Sequence, residues 1–213
     1  AAIDKIIAYE SSESGEWAKK VTLAADNPDS AGDFIQSSDD LAKAVPENRQ
    51  VEKVYLEPPY SPASTVHTWL MRAFNEGVGI VNWIGHAGLD SLANERVLAV
   101  SDLPDLEETT HPPVTVALTC LLNNFGFPYF ATLGEELSLH PGGGAIGVWS
   151  ASGLFRNANA ELLGEEFMAA LGDEPGRLGD IILTAIENYD GPGVDRKLAH
   201  GYVLFGDPAL KLK

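Results

Sequence analysis

Short apolar runs alternate with longer amphipathic stretches along the whole chain. Residues 19–26 (KKVTLAAD), 114–120 (VTVALTC) and 145–149 (AIGVW) read as buried strands. So does the apolar part of residues 79–88 (GIVNWIGHAG), whereas residues 51–56 (VEKVYL) alternate in the half-buried manner. Residues 202–207 (YVLFGD) form a last short strand or extended segment. Between these, apolar positions recur at helical spacing. They predict helices over residues 2–17, from Ser37 or Ser38 to about Val45, and over residues 64–76. Further helices are expected over about 131–139, 157–171 and 177–189, with a short one opened by Ser101 and Asp102. In the first helix Ile3, Ile6 and Ile7 share one face, which is expected to be its buried one.

Strands that alternate with helices imply βαβ crossovers, hence an α/β fold with a mostly parallel sheet covered on both faces. No internal repeat or low-complexity linker interrupts the pattern, so residues 1–213 read as one domain. A chain that opens inside a helix is expected to be part of a longer one. The loops 26–33, 85–96, 120–128 and 150–156 each follow a strand. Right-handed crossovers gather such loops at one rim, where sites of open α/β sheets form. The proline-rich loop 57–62 follows the second strand.

The net charge of −17, from 31 acidic and 14 basic residues, disfavours nucleic acid and anionic membranes as partners. No apolar run approaches the length of a membrane span. The single cysteine, Cys120, rules out an internal disulfide and is also the pattern of a candidate nucleophile. His86 and Cys120 each sit at the end of a predicted strand. Adjacent parallel strands would bring an imidazole to a thiol, the arrangement that generates a thiolate nucleophile. The other four histidines are scattered, so no zinc-ligand spacing is present. No phosphate-binding glycine loop stands at a strand–helix turn, and no cofactor is expected. Loop 26–33, with Asp26, Asp29 and Asp33, reads as a solvated turn that could hold a structural calcium ion, although EF-hand spacing is absent.

Four segments together resemble the gingipain-type cysteine peptidases. NWIGHAG at 82–88 is similar to the segment around that family's histidine, and VALTCLLNNFGFP at 116–128 to the segment around its nucleophile. GGGAIGVWSASGL at 142–154 and VLFGDPALKLK at 203–213 resemble its next strand and its ending. Histidine precedes cysteine by 34 residues, and the resemblance runs over nearly the whole chain in one order.

The resemblance implies a three-layer caspase-like sandwich and a cysteine endopeptidase acting through an acyl-enzyme. Cys120 would be the nucleophile, His86 its imidazole partner, and Asp26 the carboxylate bonded to the other ring nitrogen. The backbone N–H groups of Ala87 and Cys120 would form the oxyanion hole. Asp33 would receive a basic side chain before the cut, with Phe155, Ser152 and Trp149 as further substrate-binding candidates. Three positions depart from the family pattern: Ala87 replaces the glycine after the histidine, Leu122 stands where asparagine is common, and Phe155 aligns with a tryptophan. The implied partners are a polypeptide substrate and an upstream subdomain of the same chain. The implied location is secreted or at a bacterial cell surface. The alternatives are a catalytically weak or inactive binding module, and an autoprocessing or transpeptidase domain.

Overall fold

A computed structural model describes residues 2–57, 61–172, 176–190 and 194–213. Residues 58–60 of the proline-rich loop lie outside the described residues. In chain order the elements are α1 (Ala2–Ser11), β1 (Lys20–Ala25), α2 (Phe34–Ala44), β2 (Gln50–Tyr55) and α3 (Ala63–Glu76). There follow β3 (Ile80–Ile84), a small hairpin of β4 (Ser91–Leu92) and β5 (Leu98–Ala99), and β6 (Val114–Leu118). The chain ends with α4 (Leu133–Leu139), β7 (Gly147–Ala151), α5 (Asn157–Ala170), α6 (Leu178–Asn188), α7 (Arg196–Gly201) and β8 (Tyr202–Phe205).

Six strands form one sheet in the order β2-β1-β3-β6-β7-β8. The first five are parallel, and β8 pairs antiparallel with β7. Every side chain of β3, β6 and β7 is buried, as a sheet covered on both faces requires. Alternation along β3 shows the two faces. Ile80 and Ile84 join a core that includes Phe34 and Leu41 of α2 and Leu163 and Phe167 of α5. Val81 and Trp83 join a second core with Leu70 and Phe74 of α3 and Leu133 and Leu137 of α4. The result is a three-layer α/β sandwich.

From β1 the chain winds outward to β2, then crosses back past β1 to lay down β3 on its other side. The point between β1 and β3 is therefore a topological switch, where the loops leaving both strands diverge and open a crevice at their carboxyl ends.

Several elements differ from the sequence expectation. Helix α1 stops at Ser11, and Ile3 and Ile7 are exposed. Its buried positions are Lys5 and Tyr9, because the Lys5 ammonium donates to the carbonyls of Leu137, Ser138, His140 and Gly143. It thereby satisfies acceptors left open at the end of α4 and the turn beyond. Helix α2 starts earlier than expected, capped by Asp33 rather than by a serine. The β4–β5 hairpin and α7 are too short to leave a periodic signal.

Trp149, a substrate-wall candidate, is instead a core residue. It is 1% exposed and packs against Phe167 and Tyr202 at ring separations of 5.3 and 5.4 Å. Trp149→Ala is expected to lower the unfolding free energy by about 3–5 kcal/mol, the range for losing a buried tryptophan, in urea denaturation. Lys5→Met, which strips four carbonyls of their donor, is expected to cost about 2–3 kcal/mol in the same measurement.

Candidate active site

β3 and β6 are neighbours in the sheet, in a register that pairs Ile84 with Leu118. His86 and Cys120 each lie two residues beyond that pair. Parallel strands lie about 4.8 Å apart, so equal displacement from one registered pair brings both reactive side chains to the same place on the rim. Both line a cleft of about 80 Å³ whose apolar walls include Phe34, Phe155 and Ala160.

The loop after β1 fixes His86 from the other side. Asp26 is 3% exposed, and its two carboxylate oxygens accept from the backbone N–H groups of Asn27 (2.9 Å) and His86 (3.0 Å). Burial pushes this carboxyl up from its ordinary range, and the two N–H donors oppose that shift. Gly85 makes the approach possible. A Cβ at that position would stand 2.3 Å from the Asp26 Cβ, and its φ is +152°. On the far side of the loop, the Trp83 indole N–H donates to the His86 carbonyl at 3.1 Å.

The expected bond between Asp26 and the His86 ring is thus replaced by one to the His86 backbone. The carboxylate on the ring is that of Asp29, whose Oδ2 lies 2.9 Å from His86 Nε2. Its Oδ1 accepts from the Ala31 N–H at 2.7 Å, and paired backbone bonds between Asp29 and Gly32 close the turn. The Ala31 N–H and then the His86 ring hold the Asp29 carboxyl below its usual range. The edge of Phe34 meets the imidazole at a centroid distance of 5.2 Å.

Cys120 is half-buried. Its thiol sits against the backbone of Phe155, with Sγ 3.4 Å from the carbonyl oxygen and 3.5 Å from the amide nitrogen. The amide N–H can donate to a thiolate at the same point. Leu121 follows in the left-handed region at φ +60°, its N–H bound to the Gly153 carbonyl. A branched side chain there marks a strained turn, held by its neighbours, of the kind that clusters at functional sites. The buried Leu122 precedes Asn123, whose side-chain amide donates to the carbonyls of Val148 and Val203 at 3.0 Å each. Asn123 therefore ties the loop after β6 to both β7 and β8.

Ala87 pairs with Leu92 through an isolated bridge formed by the bonds Ala93 N–H to His86 O and Gly88 N–H to Ser91 O. That pattern turns the Ala87 N–H away from Leu92. Among the described residues neither Ala87 nor Cys120 gives its N–H to a backbone acceptor. Ala87 is absent from the residues of positive φ, so it meets no left-handed strain.

The remaining candidates separate. Phe155 lines the cleft. Ser152 does not, since its N–H and hydroxyl both donate to the Gly201 carbonyl. Asp33 caps α2, its Oδ1 accepting from the Gln36 N–H at 3.0 Å, and it is not among the lining residues. Arg156, which the sequence did not single out, is. Among the described residues no cluster of three His, Cys, Asp or Glu side chains is placed to hold a metal ion. No helix there is long and apolar enough to cross a membrane.

The fold is that of solved peptidases. The chain matches the structure of the complex of Porphyromonas gingivalis RgpB pro- and mature domains at a TM-score of 0.79 and 18% identity, covering 100% of this chain and 53% of that one. It matches the Arg-specific cysteine proteinase gingipain R (RgpB) at a TM-score of 0.76 and 17% identity, covering 100% and 52%. The chain thus spans about half the length of these structures. They share with it the three-layer caspase-like architecture expected from the sequence. No curated protein sequence matches significantly. The sequence profile of peptidase family C25 matches across residues 1–213, and the chain belongs to that family.

Proposed function

We propose that this domain is a cysteine endopeptidase working through Cys120 and His86. The observation that carries the reading is their position on the lining of one cleft, two residues beyond a single registered strand pair. The Cys120 thiolate attacks the scissile carbonyl carbon, forming a C–S bond. The oxyanion that develops is received by the N–H groups of Ala87 and Cys120. The C–N bond breaks as His86 gives its proton to the departing amine. Water then attacks the thioester, losing its proton to His86, and the acid leaves as the thiolate is restored.

Asp29 is the positioning residue in this scheme. Its carboxylate meets the ring at Nε2 and fixes the ring's orientation. Asp26 supports the oxyanion side of the site, through the backbone rather than the ring.

Preference for a basic residue before the cut, expected from Asp33, has narrower support. One Asp33 oxygen is engaged in capping α2, and the residue lies off the cleft lining. Family membership also favours an exported or cell-surface protein that acts on polypeptides beside a second subdomain, as the RgpB pro- and mature-domain complex illustrates for that relative.

The test is covalent labelling of Cys120 by peptidyl acyloxymethyl ketones, followed by intact mass. His86→Ala is expected to slow labelling by about 10²-fold or more, the usual contribution of a positioned acid–base group. Labelling no faster than that of a plain thiol, and unchanged in His86→Ala, would favour a binding module over a hydrolase. Asp29→Asn is expected to slow labelling about tenfold, the low end for a hydrogen bond to a charged group. An unchanged labelling rate would leave Asp29 as a turn former only.

A further inference from the structure

The wall of the cleft carries a charge that the basic-residue expectation does not accommodate. Arg156 lines it beside Phe155, whose backbone cradles the Cys120 sulfur, together with Ala31 and Phe34. Apart from His86, it is the charged residue among those lining the cleft. The nearby carboxylates are engaged elsewhere, Asp29 with His86 and Ala31, Asp33 with Gln36, and Asp195, which lines a second pocket with Arg156, with the Lys197 N–H. Among the described residues no ion pair engages the Arg156 guanidinium.

A basic side chain entering here would face a like charge with no carboxylate on the lining to receive it. A carboxylate would meet a planar donor fork suited to bidentate pairing.

We propose that Arg156 is a specificity-determining residue, and that the cleft beside Cys120 receives an acidic side chain before the cut. This rests on the dyad reading above and names the substrate class that the dyad acts on. Phe34 and Phe155 supply apolar wall, and Arg156 supplies the charge.

The experiment uses tripeptidyl acyloxymethyl ketones that differ only in the residue next to the ketone: Asp, Asn, Ala or Arg. Labelling rates of Cys120 are measured in the wild-type protein, Arg156→Ala, Arg156→Lys and His86→Ala. In the wild type the Asp probe is expected to react about tenfold faster than its isosteric Asn counterpart, the low end for a hydrogen bond to a charged group. The Arg probe is expected to be slowest. The Asp-to-Asn ratio should fall to about one in Arg156→Ala and recover in part in Arg156→Lys. An Arg probe that reacts fastest, or an Asp-to-Asn ratio unmoved by Arg156→Ala, would overturn the assignment while leaving the dyad intact. Failure of every probe to label faster than His86→Ala would remove the dyad and this assignment with it.

Discussion

The site depends on one buried carboxylate. Asp26 stands where β1 ends and the sheet changes its direction of winding, and it holds two backbone N–H groups at once. One belongs to its own loop and the other to His86, 60 residues later. This bond ties the two diverging loops of the switch together. It sets the height of the imidazole above the sheet and leaves the next amide, at Ala87, turned away from its strand partner. A buried carboxylate is costly unless hydrogen-bonded, and here both oxygens have donors. Gly85 is the other half of the same constraint, because the Asp26 side chain occupies the space a Cβ would need.

The cysteine side is held differently. No carboxylate is needed there. The Cys120 turn is pinned by Leu121 to Gly153, by Asn123 to Ala151, and by the Asn123 side chain to Val148 and Val203. These bonds reach into β7, the loop that follows it, and β8, so the antiparallel last strand helps to hold the nucleophile although it contributes nothing to the cleft itself. The packing of Gly134 follows from this: a Cβ there would lie 1.8 Å from the Asn123 side-chain oxygen. Two loops from adjacent strands are thus positioned by separate networks that meet only across the cleft.

Much of this was legible in the sequence, for identifiable reasons. The strands were readable because a parallel sheet covered on both faces demands near-continuous apolar runs, and the reactive residues stand at the ends of two such runs. The roles of Asp26 and Asp29 were not separable. Both lie in one acidic loop, and which of them meets the ring depends on the turn closed between Asp29 and Gly32. Ile3 and Ile7 misled because helical periodicity identifies an apolar face, not the face that finds a partner. A lysine with four carbonyls to satisfy outweighed them. Trp149 shows the converse. An aromatic residue near a site loop invites a binding role, yet strand alternation turns this one into the core. Arg156 gave no signal at all, since a lone arginine after a strand-end loop resembles any solvated residue until the fold brings it to the nucleophile.

The overall charge of −17 and the character of the cleft are separate matters. At physiological ionic strength the field of distant surface carboxylates is screened over about 8 Å, so they influence approach more than recognition. Within the cleft the balance is set by groups in contact with what enters. Each nearby carboxylate already serves the architecture, one holding the His86 backbone, one its ring and one capping a helix. An acidic surface therefore does not entail a basic substrate. On the assignment proposed above, selectivity follows from the charge left uncommitted beside the nucleophile, that of Arg156.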